Sequence, residues 1–373
     1  MKVHWRHVPS ARNSYAALYA ACEKEGFVLE PVDRPKADVT CYSFNSLSAA
    51  QLLPEMANAP GFTIAGGPHA TACQEEVLRY ADFVVVGEGE AVLPALLSCL
   101  ADERPVSIPG VASAVGYTPA DSTVFLDAWP CFSRMKGYVE ISRGCPFSCA
   151  YCQTPRIFGQ GMRHRSIDRI VEFASRYRDA RFVSPNAFAY GSDGRNPRLD
   201  KVKALLSALR NRIWFGTFPG EVRPEFVTAE ALDLVTTYCA NECIQFGAQS
   251  GSDEVLRRLG RGHSVEDVIR AVELTGATGL TPIVDIIVGL PFETDDDQRA
   301  TADLARWIAG RGRLHAHYFL PLPGTPLAQM RPRPLIPDLS RLLGSLALRG
   351  KLTGSWRSPR DTIFSSHDRL NKA

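Results

Sequence analysis

The stretch YVEISRGCPFSCAYC, residues 138–152, runs from a β-like segment straight into three thiols, Cys145, Cys149 and Cys152, held within eight residues. Thiolates are soft ligands, suited to zinc or to an iron–sulfur cluster. A structural zinc site closes with four ligands, usually as two separated pairs, and here no second pair lies nearby. Three thiolates on a four-iron cluster leave one iron open to a substrate or cofactor, which is an arrangement for chemistry. From spacing alone, two alternatives stay open: a three-cysteine zinc site borrowing a distant histidine, and a cluster that only carries electrons. Pro146 and the polar loop are poor core material, which argues against a chance gathering of buried cysteines.

Downstream of this loop, strands and helices alternate. SIDRIVEFASRYRDA (166–180) is amphipathic and reads as a helix. ARFVSPNAFAY (180–190), RIWFGTF (212–218), CIQFGAQ (243–249), TPIVDIIVGLP (281–291) and LHAHYFLPLP (314–323) read as successive strands. Between them, LDKVKALLSALRN, TAEALDLVTTYC, SVEDVIRAVELTG and DDQRATADLARWIAG read as helices. Six units at a spacing of about 30 residues fit a parallel barrel or partial barrel over 138–326, with its chemistry at the carboxyl ends of the strands. Residues 327–373 are rich in Pro and Arg, then helical over DLSRLLGSLALRGKL, and form an expected C-terminal helical extension.

Upstream, residues 1–100 alternate in the same way. KVHWRHV, FVLEPV, ADVTCYSF, FTIAGG and ADFVVVGEGE read as strands. NSYAALYAACEKEG, SLSAAQLLPEMANAP, HATACQEEVLRY and AVLPALLSCLADE read as helices. This pattern implies a doubly wound parallel sheet covered on both faces, with ligands beyond the carboxyl ends of its strands. Two glycine turns fall there: Gly66, Gly67, Pro68 and His69, and then Gly87, Glu88 and Gly89. Residues 101–137, rich in Pro, Gly and Ser, read as a connector with a small hairpin.

The totals narrow the class. A chain of 373 residues, 45% hydrophobic and 22% charged, can bury more than one core without staples. A net charge of +2 gives no electrostatic reason to expect nucleic acid or an anionic membrane as partner. No apolar run of about 18 residues suggests a membrane span, and the N-terminus lacks an apolar leader core, so a cytoplasmic protein is expected. There, most of the ten cysteines should stay reduced. The seven outside the loop are expected as small buried hydrophobes, Cys239 and Cys243 included.

The loop Cys-x-x-x-Cys-x-x-Cys, with Tyr151 before the last cysteine and a strand before the first, resembles the radical S-adenosylmethionine (radical SAM) superfamily. GEVRPE, FGAQSGSDEVLRRLGRGHS and VDIIVGLPFET are similar to strand ends of oxygen-independent coproporphyrinogen oxidase and its relatives. The resemblance covers roughly Tyr138 to Pro326. It implies a 4Fe-4S cluster on Cys145, Cys149 and Cys152, with SAM chelating the open iron. An external one-electron reductant of flavodoxin or ferredoxin type would then release a deoxyadenosyl radical. Carried over by residue, Tyr151 belongs to the SAM pocket and Glu221 matches the acid that contacts SAM. Gln249 and Asp285 match ribose contacts, Arg261 the residue facing the SAM carboxylate, and Gly289 and Pro291 the adenine wall. A guanidinium suits a carboxylate; an amide and a carboxylate suit two hydroxyls. Where the family has a Gly-Gly-Glu-like turn for the SAM amino group, this chain has Ser184, Pro185, Asn186, Ala187 and Phe188.

The first 100 residues resemble the cobalamin-binding radical SAM group, through GGPHATA and VVGEGE. The implied fold is α/β: a Rossmann-like domain of cobalamin-binding type, then a partial (β/α)6 radical SAM barrel. Gly66, Gly67, Pro68, His69, Gly87 and Gly89 are the implied cobalamin contacts, with glycines letting main chain approach the corrin. The Asp-x-His-x-x-Gly loop that ligates cobalt in many cobalamin proteins does not occur here. With both cofactors, the expected activity is methyl transfer to an unactivated carbon or phosphorus centre of a small molecule or peptide. The alternative is radical SAM chemistry without cobalamin: rearrangement, oxidation or transfer of another SAM fragment. Methylthiotransferases resemble the barrel, but bring three further cluster cysteines upstream and a nucleic-acid-binding tail. A redox- or iron-sensing protein without turnover is the reading from a different class.

Overall fold

The computed structural model describes residues 1–120 and 123–357. Two compact units divide them: residues 1–138 with 156–158, and residues 139–155 with 159–357.

The first unit is built on a seven-stranded sheet in the order β2-β1-β3-β4-β5-β6-β7. Its elements are β1 (Val3–Arg6), α1 (Arg12–Lys24), β2 (Leu29–Val32), β3 (Val39–Ser43), α2 (Ser46–Ala57), β4 (Phe62–Gly66), α3 (Gly67–Ala72), α4 (Gln74–Val77), β5 (Phe83–Val85), α5 (Val92–Ala101), β6 (Val111–Ser113) and β7 (Gly116–Tyr117). Strands β1 to β5 are parallel, and the order reverses between β1 and β3, the place where doubly wound sheets bind ligands. Alternate residues of β3 feed opposite cores. Val39 and Cys41 join Trp5, Tyr15, Tyr19, Leu93 and Leu97 on the side of α1 and α5. Tyr42, with Phe44 just beyond the strand, joins Leu52, Leu53, Met56 and Val77 on the side of α2 and α4.

Two expectations need correcting here. The helix expected over 69–80 is broken at Cys73, whose φ of −128° and ψ of 41° leave the helical region. The connector over 101–137 is not separate from the domain at 1–100, because its hairpin β6–β7 pairs antiparallel with β5. It thereby covers an edge that would otherwise expose unpaired backbone groups.

The second unit contains β8 (Val139–Glu140), β9 (Ser142–Arg143), α6 (Thr154–Phe158, shared with the first unit), β10 (Arg163–His164), α7 (Ile167–Ala174), β11 (Asp179–Val183), α8 (Leu199–Ala208), β12 (Arg212–Trp214), α9 (Ala229–Tyr238), β13 (Cys243–Gln249), α10 (Asp253–Leu259), α11 (Val265–Ala277), β14 (Thr281–Val288), α12 (Asp295–Ala309), β15 (Arg313–Tyr318), α13 (Pro337–Leu348) and β16 (Leu352–Thr353). Strands β8, β11 and β12 form one parallel arc and β13 to β16 another. A parallel bridge from Val222 to Phe246 joins the arcs. Six of these strands are the expected ones. The seventh, β16, comes from the supposed tail, so the barrel does not end at 326; residues 358–373 of that expected extension lie outside the described residues. YVEISRG is two strands, because Ser142 and Arg143 pair backwards with β10.

Along β14, Pro282, Val284, Ile286 and Val288 are buried, while Ile283, Asp285 and Ile287 are half-buried on the other face. This period of two separates a helix-packed face from an inner wall. Capping boxes at Ser264 and Thr294 start α11 and α12 and fix the chain's exit from the strand-end loops. Among the described residues, no helix is long and apolar enough to cross a membrane.

Candidate active site

The cysteine loop leaves β9 through Gly144, at φ +86°, where a Cβ would stand 2.1 Å from the Gly161 carbonyl oxygen. Only glycine fits this close crossing. Backbone bonds pin both ends: Cys145 N–H to Gly159 O (3.1 Å) and Ala150 N–H to Leu259 O (2.9 Å). All three thiols are free, Cys149 buried and the others half-buried. Burial raises the Cys145 thiol, against the pull of the Arg223 cation. Among the described residues, His69, Cys73 and Glu76 bring their donor atoms within 4.8 Å of one another.

Arg261 ties this loop to β13. Its Nη1 donates to Tyr151 Oη (3.0 Å) and reaches Cys149 Sγ (3.8 Å), and its Nη2 donates to Gly247 O (2.8 Å). The guanidinium is buried, and its Nε has no partner. Beside it, buried Arg223 stacks on Phe147, 3.5 Å from the ring centre, donates to Arg261 O and pairs with Glu225 (2.5 Å). His263 completes the group, its Nε2 bonded to Ala248 O (3.2 Å). Burial, then the Arg261 and Arg223 cations, push its ring down to about 3. None of the Arg223, Glu225 and His263 contacts was legible in the sequence, although Arg223 and Glu225 stand inside the GEVRPE motif.

The inner wall gathers Glu221, Gln245, Gln249 and Asp285. Asp285 Oδ1 accepts from Gln245 Nε2 (2.8 Å). Burial raises the Asp285 carboxyl to about 8, helped by repulsion from Glu221. Burial raises Glu221 as well. Gln249, at φ +70°, ends β13 opposite Ile286, just past the register shift that skips Ala248. The Ser184–Phe188 turn meets the same place: Ala187 N–H donates to Glu221 O (3.1 Å). Asn186, 4% exposed, keeps both Nδ2 and Oδ1 buried with no partner. A buried amide normally has one. Sequence reading marked this turn only as a departure from the family pattern.

Not every expected contact faces open space. At Gly289, φ +78°, a Cβ would stand 2.9 Å from Tyr318 and from the Arg333 carbonyl, so the chain itself fills that room. Pro291 is half-buried two residues on. In the first unit, Gly67 (φ +89°) lies against the Phe44 backbone at 2.9 Å, and Gly89 against Leu18 at 3.0 Å. Gly66 and Gly87 leave room: the nearest atoms to a Cβ there are 3.7 and 3.9 Å away. Pro68 starts α3. His69 is buried, its Nδ1 3.0 Å from Ser46 Oγ and its ring 5.6 Å from Phe44. Of the scattered cysteines, Cys22, Cys41, Cys99 and Cys131 are buried, and Cys73, Cys239 and Cys243 only partly so.

Residues 139–305 match the Radical SAM superfamily. The threonylcarbamoyladenosine tRNA methylthiotransferase MtaB of Thermotoga maritima is 28% identical over 53% of this chain and 46% of its own. The tRNA-2-methylthio-N(6)-dimethylallyladenosine synthase of Mycobacterium bovis is 29% identical over 80% of this chain and 59% of its own. The chain thus spans about half the length of these curated relatives. Among solved structures, the radical SAM methyltransferase TsrM from Kitasatospora setae, with cobalamin and a [4Fe-4S] cluster bound, superposes with a TM-score of 0.66. It is 17% identical and covers 88% of this chain and 77% of its own. The cobalamin-dependent radical enzyme OxsB gives 0.65 at 15% identity, over 100% of this chain and 61% of its own. At these identities the likeness is one of fold.

Proposed function

We propose that this chain, whose residues 139–305 match the Radical SAM superfamily, is a SAM-dependent radical enzyme that transfers a methyl-type group to a small molecule or peptide, with cobalamin on its first unit. The observation that carries the reading is the loop of Cys145, Cys149 and Cys152 clasped to β13 by the buried Arg261. When bound and reduced by one electron, the cluster with SAM supplies a deoxyadenosyl radical. The chain's own residues do the rest. Three thiolates hold the metal group and leave one iron open. Arg261, with its Nε unspent, faces the methionyl carboxylate. The unpartnered Asn186 amide offers an acceptor to the amino group. Gln249 and Asp285 address the ribose hydroxyls from adjacent strands, and Glu221 backs them. Gly66 and Gly87, where a Cβ would meet its neighbours only at ordinary contact distance, are the supports for corrin.

The curated relatives favour a second reading, methylthiotransfer. Against it stands the state of the upstream thiols. Cys22 and Cys41 lie in an apolar core, and burial pushes Cys22 up to about 12 and Cys41 well above its ordinary value. Such thiols are poor cluster ligands.

Anaerobic reconstitution with iron, sulfide and hydroxocobalamin, then metal analysis, tests the proposal. About four irons and one cobalt per chain are expected, with iron lost in Cys145→Ala and retained in Cys22→Ala. Iron without cobalt removes cobalamin from the reading, and zinc without iron overturns it.

A further inference from the structure

Strand β15 carries two histidines on the same wall as Asp285. Its register sets Arg313 beside Ile283, His315 beside Asp285 and His317 beside Ile287, and residues level in a sheet share a face. That face is the inner one, because Asp285 on it accepts from Gln245 of β13 and feels the charge of Glu221, and Ile287 packs on the same apolar cluster as Tyr151 of the cysteine loop. Leu314, Ala316 and Tyr318, between the histidines, are buried on the opposite face. The His315 Nδ1 is fixed by Thr353 Oγ1 of β16 (2.7 Å), and the two rings meet edge to face at 4.5 Å. His315 is half-buried and His317 is exposed.

The wall is divided by chemistry. Glu221 and Asp285 stand toward β13 and β14, while β15 presents a rising row of donors. Among the described residues, Arg313, His315 and His317 have no carboxylate within ion-pairing distance. Most arginines on this unit's helices are paired to an acid three residues away. The two imidazoles and Asp285 do not gather within 4.8 Å as a metal site requires. With His315 Nδ1 spent on Thr353, its Nε2 and both nitrogens of His317 are the ring atoms left without a partner among the described residues.

We propose that His315 and His317, with the exposed Arg313 at the start of the same strand face, seat an oxyanion of the acceptor substrate, a carboxylate or a phosphate. The proposal rests on the reading that this wall is the active site. SAM takes the acidic side, and the acceptor is drawn to β15. Burial lowers both rings, and His315 lowers His317 further. A neutral ring has one N–H; with Thr353 Oγ1 donating to His315 Nδ1, that proton stands on Nε2, where it and the His317 N–H can donate to an arriving anion, which strengthens the bond.

Inorganic phosphate and acetate serve as probes on the full-length reconstituted protein, read by calorimetry and by the nitrogen resonances of the histidine rings. One anion is expected to shift both rings, with its affinity falling about tenfold in His315→Gln and in His317→Gln, the loss of one charge-assisted bond. SAM affinity and the unfolding midpoint should stay as in the parent. Phosphate acting alone identifies a phosphorylated acceptor, and acetate acting alone a carboxylate. Rings that ignore both anions at tens of millimolar overturn the proposal, as does a loss of SAM affinity in either variant. A parent protein whose rings respond to anion but which binds no SAM leaves this seat standing and removes the reading beneath it.

Discussion

Asp285→Asn is the substitution that most directly tests the electrostatics of the inner wall. The carboxyl is raised from its ordinary 3.8 to about 8, first by burial and then by the negative charge of Glu221; Gln245 and Arg261 pull the other way. An acid raised in the folded state is ionised more easily in the unfolded one. The unfolded chain releases its proton near pH 4, while the folded chain holds it to about pH 8. The stability this group contributes is therefore full below pH 4 and is lost as pH rises through that window. Four units would correspond to a ceiling of about 5 kcal/mol. The side chain is only half-buried on an open wall, where water relieves part of the strain, so about 1–3 kcal/mol is expected. Asparagine keeps the Oδ1 acceptor for Gln245 and never ionises. Urea unfolding of both proteins at about pH 4.5 and about pH 9 reads the effect. The variant should be the more stable at the higher pH by that amount, with the gap closing at the lower. An equal offset at both values would show that the carboxyl does not titrate upward, and the argument would fail.

Two further outcomes follow from local geometry. Gly67→Ala puts a Cβ 2.8–2.9 Å from Ser43 and Phe44 at φ +89°, and should cost about 2–4 kcal/mol; Gly87→Ala, at φ +82° with its nearest neighbour at 3.9 Å, should cost about 1 kcal/mol yet lose cobalamin. Chemical unfolding that ranks them the other way would contradict the steric argument. His263, pushed down to about 3, contributes stability that is present above its unfolded value of 6.5 and lost as pH falls from there toward 3. Its ring should stay neutral at pH 5 in nitrogen-detected spectra, and a ring titrating near 6 would contradict the burial and the two flanking arginines.

The sequence showed most where periodicity was long. Strands such as 243–249 and 281–288, with helices of ten or more residues between them, left a clear alternation, and the structure follows it. It showed least where a structural change has no compositional mark. Cys73 breaks a segment whose helical pattern continues past it, and β16 is two residues long, too short for any period. The histidines of LHAHYF visibly alternate with apolar residues, but which face is inner depends on the pairing with Asp285, thirty residues away, which is bonded to Gln245. Asn186 is the sharpest case: the sequence shows that the turn differs from the family's, and only folding reveals an amide buried without a partner.

Glycines deserve separate treatment, because a motif glycine has two possible causes that the sequence does not distinguish. Backbone at positive φ, or main chain pressed against another part of the protein, selects glycine whether or not a ligand is near. Gly67, Gly89 and Gly289 are explained that way, by Phe44, Leu18 and Tyr318 respectively. Their place in a glycine turn is evidence of folding and adds nothing for corrin or adenine. At Gly66 and Gly87 the nearest atoms to a Cβ stand at 3.7 and 3.9 Å, ordinary contact that a side chain tolerates. Gly66, moreover, has an extended φ of −156° that any residue could adopt. Gly87, at φ +82°, is explained by its own backbone, so only at Gly66 must the cause be sought in what approaches from outside. The cobalamin reading therefore stands first on Gly66, and a substituted Gly66 that folds normally but no longer retains cobalt is the result that would separate ligand from architecture.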